Sequence, residues 1–205
     1  MFLIYNMYDS SVIHPIPYII HHTSYIFLNM IASLFDQSGH DAYFGEPVTQ
    51  LEHALQAAQL AEQAGADRET VVAAFLHDIG HLLPEEDGHA YMDGYGTVDH
   101  ERLGADFLRQ RGFSEKVAQL IENHVNAKRY LVAKSMNYFE RLSEASLRTL
   151  EFQGGPMTAD EAARFEQHPY FNEILQMRQW DEQAKIPGLS TPDLAHYLAL
   201  TGHVA

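Results

Sequence analysis

His53, the adjacent pair His77-Asp78, His100, His124 and Asp181 form an ordered set of four imidazoles and two carboxylates along a chain of 205 residues. Imidazole nitrogen and carboxylate oxygen are metal ligands, and a set of this size suffices for two ions rather than one. The adjacent pair lies in the apolar run Val72-Ala73-Ala74-Phe75-Leu76-His77-Asp78-Ile79-Gly80-His81. Polar groups buried in such a run are costly unless a metal or a hydrogen-bond network satisfies them. The chain has no cysteine, which excludes disulfides, thiolate-bound zinc and iron–sulfur clusters. Any ion must then be held by nitrogen and oxygen, which suits iron, manganese, zinc or magnesium.

The elements that position these groups are helical. A first amphipathic helix spans 26–38 and ends at Gly39, and Asp41 to Glu46 form a loop. The fixed φ of Pro47 suits the first turn of a helix that stops at Gly65. Asp67 caps the next helix, which runs through about Leu83, and residues 84–96, with Pro84, Gly88, Gly94 and Gly96, read as a long loop. Thr97 caps a helix ending near Gly112, and Ser114 caps another that passes through His124 towards Tyr130. A helical segment over 135–150 is broken at Gly154-Gly155-Pro156, and Thr158 with Glu161 makes a capping box. Pro169 precedes a helix over 170–185, and Thr191-Pro192 opens a last short one. No strand-like alternation and no internal repeat appear, so the expected fold class is all-α, a helical bundle.

Helical register tests the metal idea. His124 follows Val117, Leu120 and Ile121 on an inward face, and Arg178 with Asp181 continues the stripe of Ile174 and Leu175. His53 shares a stripe with Ala57, Leu60 and Ala64. On one continuous helix His77 and His81, at i and i+4, share a face, with Asp78 turned about 100° away. A lone histidine on an apolar face is more often a hydrogen-bonded core residue than a ligand; the conjunction argues for ligands. For His77-Asp78 the alternative is a cap or a buried ion pair, and neither residue is at an expected helix end. His14, His21, His22, His89, His168, His196 and His203 fall in loops or near termini, where solvent exposure explains them.

Composition bounds the rest. With 46% hydrophobic and 20% charged residues the chain suits one globular domain. A net charge of −15 argues against nucleic acid or an anionic membrane as partner, because both bind through summed positive potential. Residues 1–27 are rich in Tyr, Ile, His and Pro with almost no charge and no sustained helical period. They read as a poorly ordered extension preceding a domain over 28–205. Lacking a basic n-region and a cleavage site, they favour a cytoplasmic protein without a membrane span.

The order His, His-Asp, His, His, Asp resembles the HD-domain superfamily, whose simplest members are metal-dependent phosphohydrolases. His100 and His124 are similar to the extra ligands of its dinuclear branch. The likeness extends to Tyr43-Phe44-Gly45-Glu46, His81, Lys128, Ser146, Thr149 and Arg178. It extends further to Gly112-Phe113-Ser114-Glu115, to Ala127-Lys128-Arg129-Tyr130-Leu131-Val132 and to Glu151-Phe152-Gln153-Gly154-Gly155-Pro156-Met157. Together these resemble, over residues 28–190, the mixed-valent di-iron oxygenases that cleave the carbon–phosphorus bond of 2-amino-1-hydroxyethylphosphonate with O2 to give glycine and phosphate.

The resemblance implies one iron on His53, His77, Asp78 and Asp181 and another on His100 and His124, with Asp78 bridging, as an Fe(II)/Fe(III) pair. Tyr43, Glu46 and His81 would serve the catalytic step, Tyr43 filling the open position of the first iron until substrate displaces it and Glu46 moving with that exchange. Lys128, Ser146, Thr149 and Arg178 would bind the phosphonate, which suits charge-assisted donors in an acidic protein. Plainer roles stay open: Tyr43 as a loop aromatic, Glu46 as a helix N-terminal carboxylate, Lys128 as a helix C-terminal cation, Ser146 and Thr149 as ordinary helix residues. Three other readings stand beside this one: the same reaction on the N-trimethyl analogue giving glycine betaine, a hydrolytic HD phosphatase, and a non-catalytic metal-sensing or interaction domain. Inositol oxygenase shares the ligand order, but the interval from Asp78 to His100 is too short for its insertion.

Overall fold

A computed structural model describes residues 16–84 and 91–202, with side chains from Phe27 onward. Residues 1–15 of the expected extension, together with His14, His89 and His203, lie outside the described residues. The fold is all-α: α1 Ile16–Ser38, α2 Gln50–Gln63, α3 Arg68–Leu76, α4 His100–Arg109, α5 Glu115–Lys134, α6 Met136–Phe139, α7 Glu144–Phe152, α8 Ala159–Phe165, α9 Phe171–Gln183 and α10 Leu194–Thr201. A 3₁₀ turn at Ile79–His81 follows α3, and the pairings Ala42–Thr49 and Tyr91–Thr97 are isolated bridges. No described helix is long and apolar enough to cross a membrane.

The core explains the order of the layers. Helix α5 packs against α3, α4 and α9, while α2 packs against α3 and α9. Buried Ala54, Ala57, Ala58 and Ala61 on α2 face a neighbour carrying buried Ala73 and Ala74, and such short side chains let the two axes approach closely. The inward stripe of α2 therefore ends at Ala61 rather than at the expected Ala64, which is exposed. Ile31, Leu34 and Phe35 of α1 join this core, with Phe35 stacked on Phe75 at 5.1 Å.

Several expected boundaries shift, each for a local reason. Helix α1 begins at Ile16 rather than near Ile26; Pro17 falls in its first turn, where a missing N–H costs nothing. Helix α2 starts at Gln50, not Pro47, because Thr49 and Glu52 form a capping box there. Helix α4 starts at His100 after Asp99 in the left-handed region (φ 58°) rather than at a Thr97 cap. Thr97 is engaged instead with Tyr91 and with two site histidines. The expected segment over 135–150 divides into α6 and α7, capped by Ser135 and Ser143. The caps at Asp67, Ser114 and the Thr158–Glu161 box are present.

The consequential difference is at His77. Helix α3 ends at Leu76, so His77 is its C-cap and Asp78 precedes the 3₁₀ turn. The continuous helix to Leu83 expected from the apolar pattern does not form, and His77 and His81 do not share a helical face. Gly80 lies in the 3₁₀ turn that replaces that helix. A Cβ there would lie 2.0 Å from the His100 carbonyl oxygen, so the 3₁₀ turn and the start of α4 meet backbone to backbone. This contact delivers His100 to the same centre as Asp78. Gly80→Ala should lower stability by about 3 kcal/mol, the upper part of the usual overpacking range, and displace His100. Urea denaturation with metal titration measures both effects, and wild-type values for both would remove the positioning role from this contact.

Candidate metal centre

Six segments converge on one point. Helix α2 contributes His53, the end of α3 His77, the following junction Asp78, the first turn of α4 His100, the middle of α5 His124 and α9 Asp181. All six are buried, with His53 fully inaccessible. The structure thus brings together every residue of the ordered set.

Ring orientation follows from the main chain. His53 Nδ1 lies 2.9 Å from the Ala184 carbonyl, His77 Nδ1 2.8 Å from that of Ala74, and His124 Nδ1 2.7 Å from that of Ile121. His100 Nδ1 lies 3.3 Å from the Thr97 carbonyl. A carbonyl oxygen can only accept, so each Nδ1 carries a proton, and in the neutral ring each Nε2 keeps its lone pair. These lone pairs face one another in two couples: His53 with His77 at 3.1 Å, and His100 with His124 at 3.1 Å. Two facing lone pairs repel unless a cation lies between them, so this donor set fits metal at two positions.

Asp78 stands between the couples. Its Oδ2 is 3.4 Å from His77 Nε2 and 3.6 Å from His53 Nε2, whereas its Oδ1 is 3.4 Å from His100 Nε2 and 3.5 Å from His124 Nε2. One carboxylate thereby offers an oxygen to each position. Asp181 belongs to the first alone, with Oδ1 3.5 Å from His53 Nε2 and Oδ2 accepting from Arg178 at 2.5 Å. Burial would raise both carboxyls, but His77 and His100 hold Asp78, and Arg178 holds Asp181, well below the usual carboxylate range. Burial pushes His77 down, yet Asp78 pulls it up to about 9; His124, where burial dominates, is lowered to about 3. A metal ion entering the first position would displace the proton that His77 and Asp78 share.

His81 stands apart from the four. Its ligand atom is near those of Asp78 and His100, and its ring stacks on His100 at 3.9 Å. Its Nδ1, however, accepts the Thr97 N–H at 3.1 Å. The proton of the neutral ring must then sit on Nε2, which makes His81 a donor rather than a ligand. Burial, followed by His100, keeps it well below the ordinary histidine value and so neutral.

A cleft of ≈ 50 Å³ opens on this centre, room for a few water-sized groups. Tyr43 stacks on His53 at 3.9 Å and donates its hydroxyl to Asp78 Oδ2 at 2.8 Å. Glu46, Lys128, Ser146, Thr149 and Arg178 also line it. Lys128 Nζ donates to Thr149 Oγ1 at 2.7 Å and lies 3.4 Å from the Ser146 carbonyl. Arg178 also donates to Tyr138 Oη at 3.0 Å and to Ser146 Oγ at 3.3 Å, and it pairs with Glu182.

Lys185 was not legible in the sequence. It binds Glu46 at 2.8 Å, and this pairing holds Glu46 below its usual range although burial would raise it. A lysine just past a helix reads as an ordinary dipole partner, so no spacing signalled it. Of the histidines set aside above, His196 is exposed and lies 3.1 Å from Glu62, and His168 is half-buried beside Gln119.

Comparison with known proteins agrees with this geometry. The sequence pattern of the HD domain matches residues 51–153. The [1-hydroxy-2-(trimethylamino)ethyl]phosphonate dioxygenase (glycine-betaine-forming) of Leisingera caerulea is 45% identical over 170 residues, 83% of this chain and 86% of the relative. The hydroxymethylphosphonate dioxygenase of Gimesia maris is 45% identical over 171 residues, 82% of this chain and 84% of the relative. An uncharacterized protein of Acanthamoeba polyphaga mimivirus is 43% identical over 170 residues, 83% and 78% of the two chains. With a buried His-Asp centre and relatives matched over most of its length, the chain belongs to the HD-domain family.

Proposed function

We propose that this protein is a di-iron oxygenase that cleaves the carbon–phosphorus bond of a 1-hydroxyphosphonate with O2, and that its substrate is 2-amino-1-hydroxyethylphosphonate. The observation that carries the reading is Asp78 offering one oxygen to each of two imidazole couples, in a cleft also lined by a buried lysine and arginine. The reaction balances without an external reductant: the hydroxyphosphonate and one O2 give a carboxylic acid, here glycine, and phosphate. Iron in the Fe(II)/Fe(III) state at the two positions supplies the redox chemistry of O2 and the Lewis acidity that favours loss of the substrate hydroxyl proton.

The chain's residues do the rest. Lys128, Ser146, Thr149 and Arg178 hold the phosphonate, fixing the C1–H bond relative to the metals. Tyr43 gives up its hydrogen bond to Asp78 and swings out to admit the substrate. His81, which lines the cleft beside His100, would supply a neutral N–H donor near the second position. Glu46 is the cleft-lining carboxylate besides Asp78 and Asp181; with Oε1 taken by Lys185, its other oxygen would accept a hydrogen bond from a primary ammonium but not from a quaternary one, which favours the glycine-forming substrate.

The test follows phosphate and organic acid together under ¹⁸O2, with the aminoethyl, trimethylaminoethyl and hydroxymethyl compounds in parallel. Phosphate release should require O2, label should enter the carboxylate, and glycine formation should be fastest. Faster turnover of either other compound would keep the reaction and move the substrate. Equal phosphate release without O2 would leave hydrolysis as the better account.

A further inference from the structure

The four ligand imidazoles are not backed alike. Those of His53, His77 and His124 each rest on a main-chain carbonyl at 2.7–2.9 Å. The corresponding contact of His100 is longer, 3.3 Å to Thr97, and a carboxylate stands beside it: Glu101 Oε2 is 3.4 Å from His100 Nδ1. That oxygen is buried and makes no hydrogen bond among the described residues. A buried, unpartnered carboxylate oxygen is expensive in a folded protein. Positive charge reaching it through the adjacent imidazole would offset the cost.

The two metal positions also differ in anion count. Asp78 and Asp181 both face the first position, whereas among the described carboxylates Asp78 alone faces the second. We propose that Glu101 is a positioning residue that supplies the missing negative charge to the second metal from behind, through the His100 ring. A carboxylate behind a ligating imidazole increases the electron density that the ring donates. Glu101 thereby retains the second ion and stabilises its more oxidised state. The proposal rests on the reading of the centre as dinuclear. A plainer role competes with it, since Glu101 lies in the first turn of α4, where any carboxylate gains from the helix dipole.

Glu101→Gln keeps the shape and removes the charge, and Glu101→Asp restores the charge at a shorter reach. Each protein, loaded anaerobically with Fe(II), is challenged with a chelator, and iron per chain, midpoint potential and the melting temperature of the iron-free form are measured. Glu101→Gln should weaken the second iron on the order of 10- to 100-fold, raise the midpoint potential and leave the first iron in place. Glu101→Asp should recover part of both effects. Unchanged iron retention and potential in Glu101→Gln, with only a lower melting temperature, would leave the helix dipole as the whole role and overturn the proposal. A wild-type protein that holds a single iron would overturn the dinuclear reading and the proposal with it.

Discussion

Asp78→Asn should abolish both metal positions at once, and phosphate release should fall on the order of 10³-fold or more, since metal assistance contributes several kcal/mol and each 1.36 kcal/mol is tenfold in rate. The cause is the division of one side chain between two imidazole couples, with Oδ2 towards His53 and His77 and Oδ1 towards His100 and His124. An amide keeps that shape but turns an NH₂ group towards one of the two cations. Its remaining carbonyl carries no formal charge to share with the other. Asp181→Asn should instead deplete the first position alone, and His124→Ala the second alone, because Asp181 Oδ1 lies with the first couple and His124 Nε2 with the second, although the His124 ring also packs edge-on against His77. Iron per chain, read beside phosphate release, separates these outcomes. An Asp78→Asn protein that retains two irons would show that the carboxylate does not bridge.

Most of this site was legible because the chemistry and the register agreed. His124 could be placed inward from Val117, Leu120 and Ile121, and Asp181 from Ile174, since both lie within long unbroken helices. The His-Asp pair was legible as chemistry but not as geometry. The apolar run through Ile79 has the pattern of a continuing helix, yet α3 ends at Leu76, and just beyond it Gly80 meets the His100 backbone in a tertiary contact. No local propensity encodes that contact. The same holds for His81: its spacing places it on the face of His77 in a continuous helix, and only the Thr97 N–H on its Nδ1 marks it as a donor. Lys185 and Tyr138 escaped notice for a similar reason, being brought to Glu46 and Arg178 by chain segments far away in sequence.

Removing the positive end of Lys128 should weaken phosphonate capture more than any other change that leaves the metals alone. Its side chain is buried, with Nζ committed to Thr149 Oγ1 and near the Ser146 carbonyl, and a further N–H remains for an anion. Losing one partner of a buried charge pair costs about 2–5 kcal/mol, so Lys128→Met should raise the apparent KM by roughly 10²- to 10³-fold with iron content unchanged. Burial, and then Arg178, hold this lysine well below its ordinary value. The charged form is the one that binds an anion, so capture should be strong below the depressed value and weaken as pH rises through it. A bound phosphonate favours the charged form, so binding above that value should take up a proton. The rise of KM with pH should vanish in Lys128→Met. Arg178 supplies the contrast, because its guanidinium donates to the metal-facing Asp181 at 2.5 Å as well as lining the cleft. Arg178→Met should therefore lose first-position iron together with substrate affinity. If Lys128→Met lost iron, or if Arg178→Met kept its iron and raised KM alone, the division between anion capture and ligand support would have to be redrawn.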